Sequence, residues 1–389
     1  MQQNMSQGIF ANRFYLVAIF LYGLTSIAGF YLVSPYCSLD YPYYAEQWQA
    51  FIDGKNPYSV SHNTYAIGHS LLGIFYYLDH NLPRYLFLFA WLSAASFIFH
   101  KFVKTNPPQI LEYLLFIFFY LNPIFWVTVS ICANNDAIVA PLVLLALAFR
   151  RDKPYLGMAI LVVAGMTKIY PLALMPLYAL NKGQLNIKLL LVGFILTAII
   201  AAIVYIFYGP LSFNPFIGAT FRNPTQYSIY SSLANFLGPD ILKAPGGMSI
   251  STPIVLLMLA LTFFWCWINN YCYLSSCLLG SIVIMAFYAL IYQHHYLILF
   301  LIFTFWYVIY LPHNQHRDWQ ILTPFILLTL AHIIVRAQLF FGDFIDFPWN
   351  AYIFNYTGIF FFALCIWLLY AVISFLQKIN LREWEIQSQ

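Results

Sequence analysis

The strongest constraint on this chain is the recurrence of long apolar runs with few charged residues between them. A helix needs about 20 apolar residues to cross a hydrocarbon core roughly 30 Å thick, and such runs recur from Tyr15 to Gln377. Of the 389 residues, 62% are hydrophobic and only 8% are charged, and the mean hydropathy is +0.75. These values lie far outside the range of soluble globular proteins, so the sequence predicts an all-α polytopic membrane protein.

We expect a single membrane domain over residues 1–389, built as a bundle of about 11–12 transmembrane helices. The predicted helical segments are 15–33, 85–100, 110–129, 137–149, 155–167, 170–181, 187–208, 253–269, 273–292, 295–312, 319–338 and 352–377. Segments 155–167 and 170–181 are too short to cross a bilayer alone, and we expect two half-length helices that meet at a polar break near Lys168. The short apolar segment 65–78 is expected to lie in the membrane interface.

Lysine and arginine favour cytoplasmic loops, so their distribution predicts the orientation of the helices. With a cytoplasmic N-terminus, eleven basic residues fall on the cytoplasmic side, namely Arg13, Lys101, Lys104, Arg150, Arg151, Lys153, Lys182, Lys188, Arg317, Lys378 and Arg382. Six fall on the opposite side, namely Lys55, Arg84, Lys168, Arg222, Lys243 and Arg336. This orientation makes the two longest loops, 34–64 and 209–252, extracytoplasmic, and long loops in a compact protein usually serve function. The net charge of +4 is scattered and forms no dense basic stripe, so we expect no nucleic-acid binding.

The first long loop is predicted to contain a short helix near residues 42–53. Pro42 is typical of a helix start and Gly54 of a helix end. The helix has an aromatic stripe that can rest on the membrane surface, made of Tyr44, Trp48 and Phe51. We therefore expect the loop to contain amphipathic interfacial helices.

Three acidic residues, Asp40, Glu46 and Asp53, lie among the aromatic residues of this loop. Asp40 directly precedes the predicted helix, and the residue before a helix often caps it through its side chain. The alternative is that Asp40 is a general base, held by a helix at the lipid boundary where a lipid-linked substrate arrives.

A second polar group, in the sequence CANNDAIVAPLVLL, is formed by Asn134, Asn135 and Asp136 at the start of an apolar helix. Such residues cap helices and complement the helix dipole. Together, their amide and carboxylate groups also supply the mixed donors and acceptors that bind sugar hydroxyls.

Lys168, in GMTKIYPLALMP, lies within a long apolar stretch, and Pro171 interrupts the helix just after it. An ionisable residue at membrane depth is costly and indicates a functional site. Its ammonium group can bind a phosphate from a wet cavity, or it can simply extend to the interface along its apolar stem.

Three further candidates lie toward the C-terminal half. Arg222, in the second long loop, has the planar group that binds phosphate oxygens in pairs. His294 and His295, in IYQHHYLILF, can donate hydrogen bonds, transfer protons or ligate a metal. Neighbouring side chains on a helix point apart, so we do not expect both histidines to bind one metal. In the predicted orientation every candidate reaches the extracytoplasmic side, which suggests one polar cavity.

These motifs resemble the GT-C membrane glycosyltransferases, and most closely the bacterial polyprenol-phosphate-mannose-dependent transferases of glycosyltransferase family 87, which are related to the GPI mannosyltransferases. The resemblance rests on LDYPYYAEQWQAFIDGKNPY, on NNDAIVAPLVLLALAFRRDKPYLGMAILVVAGMTKIYPLALMP and on HHY. The chain departs from that family after NPY, where SVSHNTYAIGH replaces the usual Tyr-Pro-Pro run. This difference bears on how the acceptor is bound or on which subfamily the chain resembles.

The resemblance implies inverting transfer of a hexose, mannose being preferred, from a polyprenyl-phosphate donor to a lipid or glycan acceptor. Asp40 occupies the position expected for the catalytic base, and Asp136, Lys168 and His295 match family-like positions. Tyr170, in the same TKIYP motif as Lys168, joins the substrate-binding candidates.

The sequence leaves two further points open. A divalent cation such as Mg²⁺ or Mn²⁺ could be bound by Asp40 with Glu46 or Asp136. The main alternative function is a transporter or flippase for a lipid-linked or polar solute, which would use the same cavity without bond chemistry. The absence of repeated halves argues against it. We expect a multi-pass protein of the bacterial inner membrane with an extracytoplasmic site.

Overall fold

The computed structural model describes most of the chain, namely residues 13, 15–17, 19–28, 31, 40–60, 65–105, 128–129, 132–221, 224–225, 227–238, 249–310, 319–341 and 350–387. Arg222 lies outside the described residues. Of the predicted helix 110–129, only residues 128 and 129 are described.

An apolar helix, Tyr15–Ala28, precedes the numbered elements. These are, in chain order, α1 (Tyr41–Ile52), α2 (Ile67–Leu71), α3 (Gly73–Leu78), α4 (Leu82–Thr105), α5 (Asp136–Phe149), α6 (Pro154–Thr167), α7 (Met175–Ala179), β1 (Leu180–Asn181), β2 (Gln184–Leu185), α8 (Ile187–Tyr208), α9 (Asn214–Phe221), α10 (Ile229–Leu237), α11 (Ser251–Ile268), α12 (Tyr273–Phe287), α13 (Tyr296–Tyr310), α14 (Trp319–Phe341) and α15 (Asn350–Gln387). Short 3-10 helices span Tyr170–Leu174, Gly209–Phe213 and Gln293–His295.

The chain divides into two compact units, each described here by itself. The first comprises Met1–Met175, Ile187–Ala219 and Phe300–His313, and the second comprises Pro176–Asn186, Thr220–Leu299 and Asn314–Gln389. The single membrane domain expected over residues 1–389 stays a prediction.

The core of the first unit is an antiparallel helix pair, α5 and α6. The turn between them, 150–153, is charged, and α6 starts at Pro154. Proline is favoured there because the N–H of the first helical residue has no partner within the helix. Helix α4 packs on α5, whereas α8 and α2 pack on α6. These contacts bring the start of α5 and the end of α6 together with the first long loop.

The core of the second unit is α12, which is buried along nearly its whole length and packs against α11 and α15. Helices α10 and α14 also pack on α15. The contact of α15 with α10 requires Gly358, because a Cβ there would collide with the backbone carbonyl of Ser228.

Four helical segments of the described chain are long and apolar enough to cross a membrane, namely Leu82–Lys101, Ile187–Ile217, Ser251–Ile268 and Tyr356–Ile379. Seven shorter apolar helices of 10–17 residues accompany them. Within the described ranges, the only sheet is the hairpin of β1 and β2, whose strands have two residues each. The protein is therefore an all-α polytopic membrane protein, as predicted, while the number of 11–12 helices stays a prediction.

Helix α1 confirms the predicted helix near 42–53, with Pro42 in its first turn and Gly54, at φ +67°, after its end. The prediction that its aromatic stripe can rest on the membrane surface is wrong. Tyr44 and Trp48 are fully buried, and the Trp48 indole N–H donates to the His69 carbonyl at 2.8 Å. The segment 65–78 folds into α2 and α3, which cover the stripe with protein.

Two predicted helix bounds are also wrong. The segment 170–181 is a 3-10 helix followed by the short α7, because residues 180–185 form a hairpin whose turn, Lys182 and Gly183, has positive φ at both positions. The segment 273–292 is helical only to Phe287. Beyond Phe287, the backbone N–H of Thr225 donates to the Ala289 carbonyl, and the Thr225 hydroxyl donates to the Ile291 carbonyl. These bonds replace the backbone hydrogen bonds of a continuing helix.

Candidate active site

The candidate site of the first unit is built around the turn that starts α5. Ala133 takes φ +49°, an uncommon conformation for a residue with a Cβ, and the Asn134 N–H donates to the Thr128 carbonyl at 3.1 Å. Asn134, Asn135 and Asp136 are all buried. Asn135 occupies the cap position of α5, yet its side chain makes no capping hydrogen bond. The capping interpretation therefore fails for Asn135, and the three side chains bind other elements.

Asp40 is held by the first residue of this turn. It occupies the position before α1 without capping that helix through its side chain. Its Oδ2 instead accepts a hydrogen bond from the Asn134 amide at 2.6 Å. Asp40 is half-buried, and in the described part of the chain no bond to its Oδ1 is found. One carboxylate oxygen is thus fixed while the other can meet a substrate.

Lys168 lies at the predicted break, in an extended conformation after α6 ends at Thr167. Its ammonium lies 2.5 Å from Asp136 Oδ2, and the Tyr170 hydroxyl donates to Asp136 Oδ1, also at 2.5 Å. The Lys168 side chain is 13% exposed and that of Asp136 is 0% exposed. Burying a charge is costly unless it is paired and hydrogen-bonded, so each group requires the other.

Asn135 connects these two groups to the first loop. Its Oδ1 accepts from the Lys168 ammonium and from the Tyr44 hydroxyl, both at 3.4 Å. Its amide nitrogen lies 3.3 Å from Nδ1 of His69. The network therefore joins the region of Asp40 to Lys168 through three consecutive residues of one turn.

A close approach of α2 to the end of α6 makes this network possible. A Cβ at Gly68 would lie 2.7 Å from the Thr167 hydroxyl and 2.8 Å from the Met166 carbonyl, closer than side chains pack. Only glycine fits there without a shift of one helix. Gly68 thereby sets the distance between α2 and Lys168.

The sequence interpretation missed two members of the network, Tyr44 and His69. Tyr44 was expected at a membrane surface, because an aromatic stripe does not reveal whether protein or lipid covers it. His69 carried a usable signal, since it is a titratable residue within the apolar segment 65–78.

The other two acidic residues of the first loop are not part of the hydrogen bonds described above. Asp53 lies at the end of α1 and forms an exposed ion pair with Lys55 at 3.0 Å. Hydrogen bonds from Lys55 and Gln49 lower the pKa of Asp53. Glu46 lies on α1 and is exposed.

The remaining candidates are Arg222, His294 and His295. Arg222 is outside the described residues. His294 and His295 belong to the second unit, where His295 is buried and its Nδ1 accepts from the Tyr292 N–H at 3.0 Å. Their rings are 4.6 Å apart, so the expectation that they point apart is wrong, because a short 3-10 helix replaces the α-helical spacing. Their part in substrate binding stays a prediction.

Two contacts of Asp136 within the first unit compete with the divalent cation considered from the sequence. Both carboxylate oxygens of Asp136 already accept from Lys168 and Tyr170. An ammonium 2.5 Å away would also repel a second cation. The divalent cation stays a prediction, and the mechanism proposed for this protein uses the contacts of Asp136 with Lys168 and Tyr170.

Comparison with known protein families matches this chain to glycosyltransferase family 87 over residues 84–292, more than half of its 389 residues. The matched range includes the Asn134–Asp136 turn, Lys168 and Tyr170, ends before His294, and excludes Asp40. No curated protein matches the chain. The family match confirms the resemblance to this family, and the chain belongs to glycosyltransferase family 87.

Proposed function

We propose that this membrane glycosyltransferase transfers a hexose, preferably mannose, from a polyprenyl-phosphate donor to a lipid or glycan acceptor, with Asp40 as the general base. Family membership supports sugar transfer in a membrane. The observation that carries the finer assignment is that a carboxylate and a cation are anchored on one turn, Asp40 through Asn134 and Lys168 through Asn135 and Asp136.

Asp40 has the features that a base in this reaction needs. Its Oδ2 is fixed by Asn134, so the carboxylate cannot rotate freely. Its other oxygen can take the proton of an acceptor hydroxyl as that oxygen attacks the anomeric carbon. Its half-buried position leaves a path for an acceptor from outside.

Lys168 is the group proposed to bind the donor phosphate. An ammonium has three N–H donors, and within the described residues two of them are used by Asp136 and Asn135. The third can bind a phosphate oxygen. Asp136 and Tyr170 hold the cation in place, so little reorganisation is needed when charge develops on the leaving phosphate.

The reaction balances without a cofactor. The acceptor O–H bond breaks as its proton moves to Asp40, a bond forms between that oxygen and the anomeric carbon, and the bond from this carbon to the phosphate oxygen breaks. Polyprenyl phosphate leaves with the bonding electrons. Because the acceptor attacks opposite the leaving group, the anomeric configuration is inverted.

The proposal also includes location and further substrate contacts. The basic residues of the sequence favour a cytoplasmic N-terminus and an extracytoplasmic site, in a bacterial inner membrane. Arg222, His294 and His295 are proposed as additional phosphate or sugar ligands.

The test uses purified full-length protein in lipid nanodiscs. It is supplied with decaprenyl-phosphate mannose and, separately, with the glucose and arabinose donors. We expect release of decaprenyl phosphate from the mannose donor in the presence of an acceptor extract, and a product of inverted configuration by NMR. Faster release of decaprenyl phosphate from the glucose or arabinose donor would replace mannose with that sugar in the proposal.

The rival function, a transporter or flippase, is separated by the same assay. A transporter moves a donor across the membrane without breaking the sugar–phosphate bond. Intact donor after incubation of folded protein with every donor, together with its appearance in the opposite leaflet of proteoliposomes, would overturn the proposed function.

A further inference from the structure

His69 is a buried imidazole next to the proposed site. It lies on the short helix α2 and is 0% exposed. Three aromatic rings surround it, with centroid distances of 4.6 Å to Tyr65, 4.7 Å to Tyr44 and 5.1 Å to Trp48. The Trp48 indole also donates to the His69 backbone carbonyl. Backbone and ring are therefore both held in one orientation.

The hydrogen bonds of Asn135 determine which nitrogen of His69 carries the proton. Lys168 can only donate, so the Asn135 side-chain atom facing it must be the oxygen. The amide nitrogen then faces Nδ1 of His69 at 3.3 Å. Since an amide nitrogen can only donate, Nδ1 must accept, and the imidazole is neutral with its proton on Nε2.

Without Nδ1 of His69 as an acceptor, one fewer hydrogen bond holds the Asn135 amide in its orientation. A rotated amide would turn its NH₂ group toward the Lys168 ammonium, and donor would face donor. The Tyr44 hydroxyl would lose the same acceptor, although it also accepts from the Asn135 backbone N–H at 3.5 Å. The contact with His69 thus keeps the oxygen of Asn135 directed at Lys168.

Within the described residues, Nε2 of His69 is buried without a hydrogen-bond partner. A buried donor without a partner destabilises the folded protein. Simple packing inside an aromatic cage would be served better by an apolar side chain. The retained imidazole therefore indicates a role for its other nitrogen.

We propose that His69 is a positioning residue for sugar transfer, which acts through Asn135 by fixing the amide that orients the Lys168 ammonium toward the donor phosphate. This inference rests on the proposed function and adds a residue to it. His69 itself touches no substrate.

The test compares two substitutions of similar shape. His69→Asn keeps a hydrogen-bond acceptor at the δ position, whereas His69→Leu removes it. We expect His69→Leu to lower the kcat for decaprenyl phosphate release roughly 10- to 100-fold, the loss expected from misplacement of a catalytic group. His69→Asn should restore much of that loss. A packing role predicts the opposite order, because buried leucine suits an aromatic cage better than asparagine.

Two further measurements complete the test. In an Asn135→Ala background, His69→Leu should lower kcat no further, and the two substitutions should be non-additive in reversible unfolding. His80→Leu, at an exposed histidine, serves as the control. If the wild type is active and His69→Leu has the same kcat, the inference is overturned. If the wild type releases no decaprenyl phosphate, the proposed function is wrong, and the contact between His69 and Asn135 is then tested by unfolding alone. Additive free energies of unfolding for His69→Leu and Asn135→Ala would overturn that contact.

Discussion

Removal of Lys168 should destabilise the protein strongly. Its partner Asp136 is 0% exposed, and the two charges are 2.5 Å apart. Removing one member of a buried ion pair typically costs about 3–5 kcal/mol, because the other charge stays buried without compensation. Lys168 itself keeps 13% exposure, so we expect Lys168→Met to cost about 3 kcal/mol, near the lower end of that range.

A double-mutant cycle separates the ion pair from other effects. The double variant Lys168→Met/Asp136→Asn should cost less than the sum of the single changes, by about 2 kcal/mol. The assay is reversible unfolding in mixed micelles, followed by tryptophan fluorescence. The matched control is the exposed pair of Lys55 and Asp53, whose removal should change little. Additive effects for Lys168 and Asp136 would refute the reasoning.

Three further substitutions test the geometry of the site. Tyr170→Phe removes a donor to a buried carboxylate and should lower the free energy of unfolding by about 1.5–3 kcal/mol; Tyr155→Phe, 48% exposed, should be neutral in the same unfolding assay. Gly68→Ala should lower both melting temperature and release rate, because its Cβ would meet the end of α6 at 2.7 Å, whereas Gly23→Ala, with its nearest neighbour at 3.9 Å, should not. Asn134→Leu removes the donor that orients the proposed base and should lower kcat for donor release roughly 10- to 100-fold, with the melting temperature measured in parallel.

The sequence predicts the fold class and several helix bounds well, because apolar length is a strong signal. The predicted helices 137–149, 155–167 and 187–208 agree with α5, α6 and α8 to within one residue. Charged or proline-containing turns bound these helices. Bounds failed where local chemistry replaced helical bonding, as in the hairpin after α7 and in the segment that Thr225 contacts.

The candidate site was predictable in part. The polar residues of apolar stretches, Asp136 and Lys168, were identified because burial of a charge requires a reason, and they form a pair. That Asp136 accepts from Tyr170 as well could not be read from spacing alone. His69 and Tyr44 were missed because their roles depend on the packing of α1 against α2, which joins residues far apart in the sequence.

The central claim is that Asp40 is the base of a sugar transfer from polyprenyl phosphate. It is tested most directly by single-turnover release of decaprenyl phosphate from decaprenyl-phosphate mannose, measured for the wild type, Asp40→Asn and Asp53→Asn in nanodiscs. Both variants remove one carboxylate from the same loop, but only Asp40 is bonded to the turn that also anchors Lys168. We predict that Asp40→Asn loses release while it still binds the donor, and that Asp53→Asn matches the wild type. Release by Asp40→Asn at the wild-type rate would contradict the account.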